Sequence, residues 1–174
     1  MAYDPRDAIW NKVYETYYES YYYEIVADKL VDRWQFTDAV TKVIVAITAS
    51  GSTVSGWALW QDADFKIMWA GMAGVAALLS VIHASLGVTG KIKDWEDFKR
   101  SFVTLRVRLE TNRHQMEINP NFHIEEFTSE YTNIRTQFGE LLSRQKNDIL
   151  RTRKLRLRAQ DEVDAKLKLT PLSS

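Results

Sequence analysis

Two uncharged, apolar stretches only six residues apart constrain this chain more than any other feature. The first runs from Val43 to Trp60 and the second from Ile67 to Gly90, joined by Gln61-Asp62-Ala63-Asp64-Phe65-Lys66. The hydrocarbon core of a bilayer takes roughly 20 apolar residues of helix, within a range of about 17 to 25. Both stretches reach that length, and a short polar link suits an antiparallel pair. The reading is therefore an all-α membrane protein built on a two-span transmembrane helical hairpin. Residues 1–35 form an N-terminal amphipathic helix, residues 36–90 the hairpin with spans 43–60 and 67–90, and residues 91–174 a C-terminal cytoplasmic helical hairpin with a basic tail. A soluble helical protein with two long buried helices is the competing architecture. It would be expected to place a charge on some exposed turn of such helices, and neither stretch carries one.

Tryptophan placement points the same way. Trp57, Trp60 and Trp69 cluster around the link and Trp34 precedes the first span, as expected for rings at the headgroup level. Orientation follows from the basic flanks. Lys29, Arg33 and Lys42 come before the first span, and Lys91, Lys93, Lys99 and Arg100 follow the second, whereas the link holds only Lys66. Positive flanks stay inside, so both termini are expected to be cytoplasmic. The opening Met-Ala-Tyr-Asp-Pro-Arg-Asp lacks the basic start and apolar core of a secretory signal. The first span is then expected to serve as an uncleaved anchor.

The chain has 174 residues, no cysteine and three prolines, at positions 5, 120 and 171. The lack of cysteine removes any disulfide framework and any thiolate chemistry; the scarcity of proline leaves room for long helices. Net charge is zero but unevenly spread. Residues 1–40 carry eight acidic groups against four basic ones, while Arg151-Thr-Arg153-Lys154-Leu-Arg156-Leu-Arg158 holds five basic residues in eight. Three roles compete for that run. It lies on an anionic inner leaflet, or it pairs with the acidic N-terminal helix of the same or a neighbouring subunit, or it is a solvated helix face. Nucleic acid is not expected as a partner, since no aromatic residue interleaves with the charges.

Helical periodicity organises the flanks. Trp10, Tyr14, Tyr17, Tyr21 and Ile25 share a face at spacings of three and four, suited to packing on other helices while the hydroxyls stay wet. Trp95, Phe98, Phe102, Leu105, Leu109 and Met116 form a second stripe, which the polar Asn112 interrupts. Asn119-Pro120-Asn121 signals a turn, and Phe127, Tyr131, Ile134, Phe138 and Leu141 make a third stripe. Such heptad-like stripes predict coiled-coil-like helix pairing. Beyond Leu150 the apolar pattern fades and charge dominates.

The spans themselves carry polar groups. Thr48, Ser52 and Ser55 share a face of the first; Ser80 and His83 lie in the second, near Ala76 and Ala84. Small residues let helix backbones approach closely in lipid, so these faces either only close the hairpin or also line a pore between subunits. His83 is the sole ionisable group in either span and therefore a candidate for function. A hydrogen bond to a hydroxyl such as Ser80 would equally make it a packing residue. There is no G-x-S-x-G, no phosphate-binding glycine loop and no H-E-x-x-H, so neither enzymatic activity nor a cofactor or metal is expected.

An aromatic amphipathic helix, a two-span hairpin with a minimal outer loop and a long helical tail together resemble the SLATT family of two-transmembrane effectors. The resemblance covers roughly Tyr14 to Leu142, including Tyr17 to Tyr23, both spans and the Trp95–Leu109 helix. It is one of layout and carries no site residue. It implies a multi-pass effector in the bacterial inner membrane that assembles as a homo-oligomer and forms a pore, or disrupts the bilayer, in antiviral defence by abortive infection. A separate sensor protein or nucleotide-signal module would trigger it. Thr48, Ser52, Ser55, Ser80 and His83 are the candidate pore or packing face. Arg151, Arg153, Lys154, Arg156 and Arg158 are the candidate partner or lipid contact. The alternative is a membrane-anchored scaffold that recruits a cytoplasmic partner through its helical tail and conducts nothing.

Overall fold

The computed structural model describes residues 4–54, 63–144 and 147–169, without the side chains of residues 48–54, 63–66, 68 and 69. Every regular element among them is an α-helix: α1 (Pro5–Val54), α2 (Ala63–Leu86), α3 (Val88–Ile118), α4 (Ile124–Ser143) and α5 (Arg153–Leu169). The chain divides into two compact units, Met1–Leu30 with Trp95–Ser174, and Val31–Asp94.

Local chemistry sets the helix ends. Asp4 caps α1, its Oδ1 accepting the Arg6 amide at 2.8 Å, and Pro5 takes the first helical position, where a missing N–H costs nothing. At the start of α5, Thr152 Oγ1 accepts the Leu155 amide at 3.3 Å. Gly87, at φ +58°, is the one left-handed residue among those described, and it separates α2 from α3. The apolar stretch read as one span over 67–90 is thus two helices joined at a glycine, because only a residue without Cβ takes that conformation readily. α2 also starts at Ala63, inside the predicted polar link.

The unit formed by Met1–Leu30 and Trp95–Ser174 is a helical bundle with one apolar core. Val13, Tyr17, Phe102, Leu105, Leu109, Met116, Phe122, Ile134 and Phe138 are all buried in it. Phe102 sits at its centre, with ring centroids 4.7 Å from Phe98, 5.4 Å from Tyr23 and 5.7 Å from Phe138. The stripes of α3 and α4 therefore meet each other and α1 together. The face that α1 buries is rotated from the one its aromatic residues suggest. Thr16 and Ser20 are inside, whereas Tyr14 and Tyr21 are half-exposed. Burial of the two hydroxyls is tolerated because each bonds back along the helix, Thr16 Oγ1 to the Lys12 carbonyl at 3.0 Å and Ser20 Oγ to the Thr16 carbonyl at 2.7 Å.

α5 is a second departure from the sequence reading. Its basic start conceals a narrow apolar seam, with Leu155, Ala159 and Val163 four residues apart and fully buried. Acidic residues of α1 are meanwhile engaged by other cations. Glu24 pairs with Arg106 at 2.6 Å, Asp28 with Lys99 at 2.5 Å and Glu19 with Arg135 at 2.7 Å. Among the described residues these three acids of α1 are paired from α3 and α4, and no ion pair joins α1 to Arg153, Lys154, Arg156 or Arg158 of the same chain.

The unit Val31–Asp94 has the opposite character. Trp34, expected at a headgroup boundary, is fully buried there instead, as are Val31, Ala76 and Val88. Among the described side chains many of its other large apolar ones are uncovered, whereas Ile44, Val45, Leu79, Leu86 and Ile92 are half-buried. Phe36, Val43 and Ile47 on α1, and Ile67, Val75, Leu78, Val81 and Ile82 on α2, are all exposed, Leu78 by 65%. One helical stretch among the described residues, within Ala70–Ile118, is long and apolar enough to cross a membrane, and only 11% of its most apolar part is buried. Part of the predicted first span, residues 55–60, lies outside the described residues.

Asn112 is 4% exposed and neither its Oδ1 nor its Nδ2 finds a hydrogen-bond partner. An unsatisfied buried amide costs about 1–3 kcal/mol. Asn112→Leu, which continues the stripe of Leu105, Leu109 and Met116, should raise stability by about that amount; thermal unfolding checks it, and unchanged or lowered stability would refute the assignment.

Candidate functional site

A group of polar side chains of the Val31–Asp94 unit meets between α1 and α2. Asp38 on α1 is the centre. Lys42 Nζ, one turn along, donates to its Oδ2 at 2.6 Å, and His83 Nε2 on α2 donates to its Oδ1 at 2.9 Å. Sequence spacing alone did not reveal Asp38, because it lies 45 residues from His83 and ahead of the apolar run. His83 is thus held by a carboxylate rather than by a hydroxyl. Ser80 is otherwise engaged, its Oγ donating to the Ala76 carbonyl at 2.9 Å. Thr41 likewise donates to the Thr37 carbonyl at 2.9 Å.

Beside this cluster an open cavity of about 340 Å3 is lined by Thr41, Lys42, Val45, Ala46, Ser80 and His83. Two predicted residues, Ser80 and His83, are therefore brought together with a second hydroxyl, that of Thr41, and with the Asp38–Lys42 pair. Of Thr48 and Ser52 only the helical backbone is described, and Ser55 lies outside the described residues. The arrangement supplies hydroxyl, imidazole and ammonium groups on an open groove whose surface is otherwise mostly apolar, with a shared carboxylate bonded to two of them. It has no nucleophile–base geometry, and among the described residues no group of His, Asp or Glu is arranged to hold a metal.

The cluster's electrostatics are asymmetric. The Lys42 ammonium first, and the His83 ring second, hold the Asp38 carboxyl below its ordinary value of 3.8. Both favour the charged form by hydrogen bonding to it.

The basic candidates are placed differently from one another. Arg151 is half-buried, its guanidinium 6.0 Å from the Tyr23 ring centroid. Arg153, Lys154, Arg156 and Arg158 are exposed on α5 and, among the described residues, none has an ion-pair partner. The acids of the same helix that face the bundle are used there. Glu162 pairs with Lys29 at 2.6 Å and Asp164 accepts from Tyr18 at 2.5 Å.

Two titrations test these contacts. A carboxyl whose folded pKa lies below its unfolded one adds stability above the unfolded value, and that contribution vanishes as pH falls through the folded value. The stability difference between the native chain and Asp38→Asn should therefore be largest at neutral pH and shrink below about pH 3.8; a difference constant with pH would refute the pairing. Burial first, and the bond to Asp164 second, push the Tyr18 phenol up to about 12. A raised phenol stabilises fully below pH 10 and loses that contribution as pH rises to about 12. Absorbance titration should show a phenol ionising near 12 that Tyr18→Phe removes; loss of a phenol ionising at the ordinary value instead would refute it.

Neither a family model, nor a curated protein, nor a solved structure matches this chain.

Proposed function

We propose that this chain is an inner-membrane effector of a bacterial defence system, a two-span protein with both termini cytoplasmic. Several copies assemble and open a polar path through the bilayer when triggered. One observation carries the membrane part. The longest apolar stretch is almost wholly uncovered, with only 11% of its most apolar part buried. The core helix of a soluble protein would be mostly buried, since exposed apolar area costs about 25 cal/mol per Å2 in water. Lipid removes that cost and sets no penalty on exposed Leu78 or Val81.

The polar side of the same unit supports a conducting assembly over a passive anchor. Ser80, His83 and Thr41 face one open cavity beside Val45 and Ala46, and the large exposed apolar side chains, such as Val43, Leu78 and Val81, do not line it. Charged and hydroxylated side chains within a membrane segment are costly unless they face a neighbour or a wet cavity. Repeated around an axis, such a side would line a water-filled path while the apolar faces meet lipid. The layout resemblance to SLATT effectors supports a lethal or growth-arresting outcome, set off by a separate sensor or nucleotide-signal module.

Purified chain reconstituted in liposomes should dissipate an imposed ion gradient. Ser80→Leu and His83→Leu, which place apolar side chains in the cavity, should slow that dissipation sharply without reducing the amount of protein incorporated. Liposomes that hold their gradient with the chain incorporated and its trigger added would refute conduction and leave the scaffold role.

A further inference from the structure

We propose that the exposed face of α5 docks on anionic lipid headgroups of the leaflet from which the chain emerges; this rests on the membrane reading above. At 100° per residue, Arg153, Lys154, Leu157 and Arg158 project from the side of α5 opposite Leu155, Ala159 and Val163, and all four are exposed. Three cations there have no carboxylate partner among the described residues, whereas Glu162 and Asp164 bond to side chains of α1. Two acids, Asp161 and Asp164, fall on the same side by that spacing, Asp164 being engaged by Tyr18, and the surface keeps a positive excess.

Two further observations select a lipid surface over an acidic protein. Large apolar side chains are interspersed with the charges: Leu157 is 56% exposed and Ile149, just ahead of the helix, 71%. Basic and apolar groups together on one helical surface are what the boundary between headgroups and acyl chains accepts. The segment ahead of α5 is also bonded to a residue that follows the apolar stretch closely in sequence. Trp95 Nε1 donates to Asp148 Oδ2 at 2.7 Å, and Trp95 follows Gly90 by only five residues. The same Asp148 fixes the following turn, its Oδ1 accepting the Leu150 amide at 2.8 Å. A basic segment bonded to a residue this near a span in sequence would reach anionic headgroups, where each Lys or Arg adds about 1 kcal/mol of attraction.

The absence of cysteine allows a single reporter. Full-length chain carrying Leu157→Cys labelled with an environment-sensitive fluorophore is placed in nanodiscs of phosphatidylcholine alone, or of phosphatidylcholine with phosphatidylglycerol. In the anionic discs the reporter should shift to the blue, be shielded from aqueous iodide and be quenched by brominated lipid. High salt should reverse all three. Arg153→Gln, Lys154→Gln and Arg158→Gln should each weaken the docking equilibrium about fivefold, and exposed positions such as these should leave the helical circular dichroism unchanged. An identical response in both lipids, or indifference to the three substitutions, would overturn the inference. So would a reporter that ignores anionic lipid but responds to soluble polyglutamate or to an oligonucleotide, which would assign the face to an acidic protein or to nucleic acid. A chain that does not enter the discs at all would overturn the membrane reading, and this inference with it.

Discussion

The uncovered apolar surface of the Val31–Asp94 unit is the constraint on which everything else turns. Phe36 on α1 and Leu78 and Val81 on α2 have no protein cover. A chain with this surface in water would associate or aggregate. In lipid the same surface is ordinary, and helix association there depends on close packing and polar contacts. Ala76, buried in this unit, and the Asp38–His83 pair are contacts of that kind. The solvent assigned to this unit therefore determines whether Ser80 and His83 are read as a wet lining or as incidental polar residues.

The other unit is stabilised as a water-soluble bundle would be. Phe102, Phe138 and Tyr23 stack in the middle. Arg106, Lys99 and Arg135 neutralise the acidic side of α1. Most of these pairs are partly exposed, so each contributes about 0–1 kcal/mol; together they select which helices meet. Asn112 leaves both of its amide atoms buried without a partner. A core polar group without a partner weakens the arrangement that buries it, while buried asparagines in helical stripes are known to fix register.

Much of this was legible in periodicity. The stripes of α3 and α4 and the turn at Asn119-Pro120-Asn121 follow directly from three-and-four spacing and from proline chemistry. Where the reading failed, a short-range rule was overridden. Thr16 and Ser20 look polar in sequence, yet back-bonding to carbonyls lets them enter the core. Trp34 resembles an interfacial ring but fills a buried site. The α5 seam was masked because Leu155, Ala159 and Val163 make a single row among charges; the Thr152 cap was the signal that would have exposed it. Gly87 offered no warning, since a glycine inside an apolar run is as often neutral as breaking. Asp38 could not be linked to His83 without knowing which turns of α1 and α2 face each other.

Membrane fractionation of expressed chain, followed by native mass determination in detergent, decides whether lipid is the solvent of the Val31–Asp94 unit. The expected, lipid-embedded polypeptide resists carbonate extraction, requires detergent and runs as a defined multimer. A monodisperse monomer in plain buffer, with residues 36–47 and 67–82 protected from hydrogen exchange by the chain's own helices, would contradict lipid as that solvent.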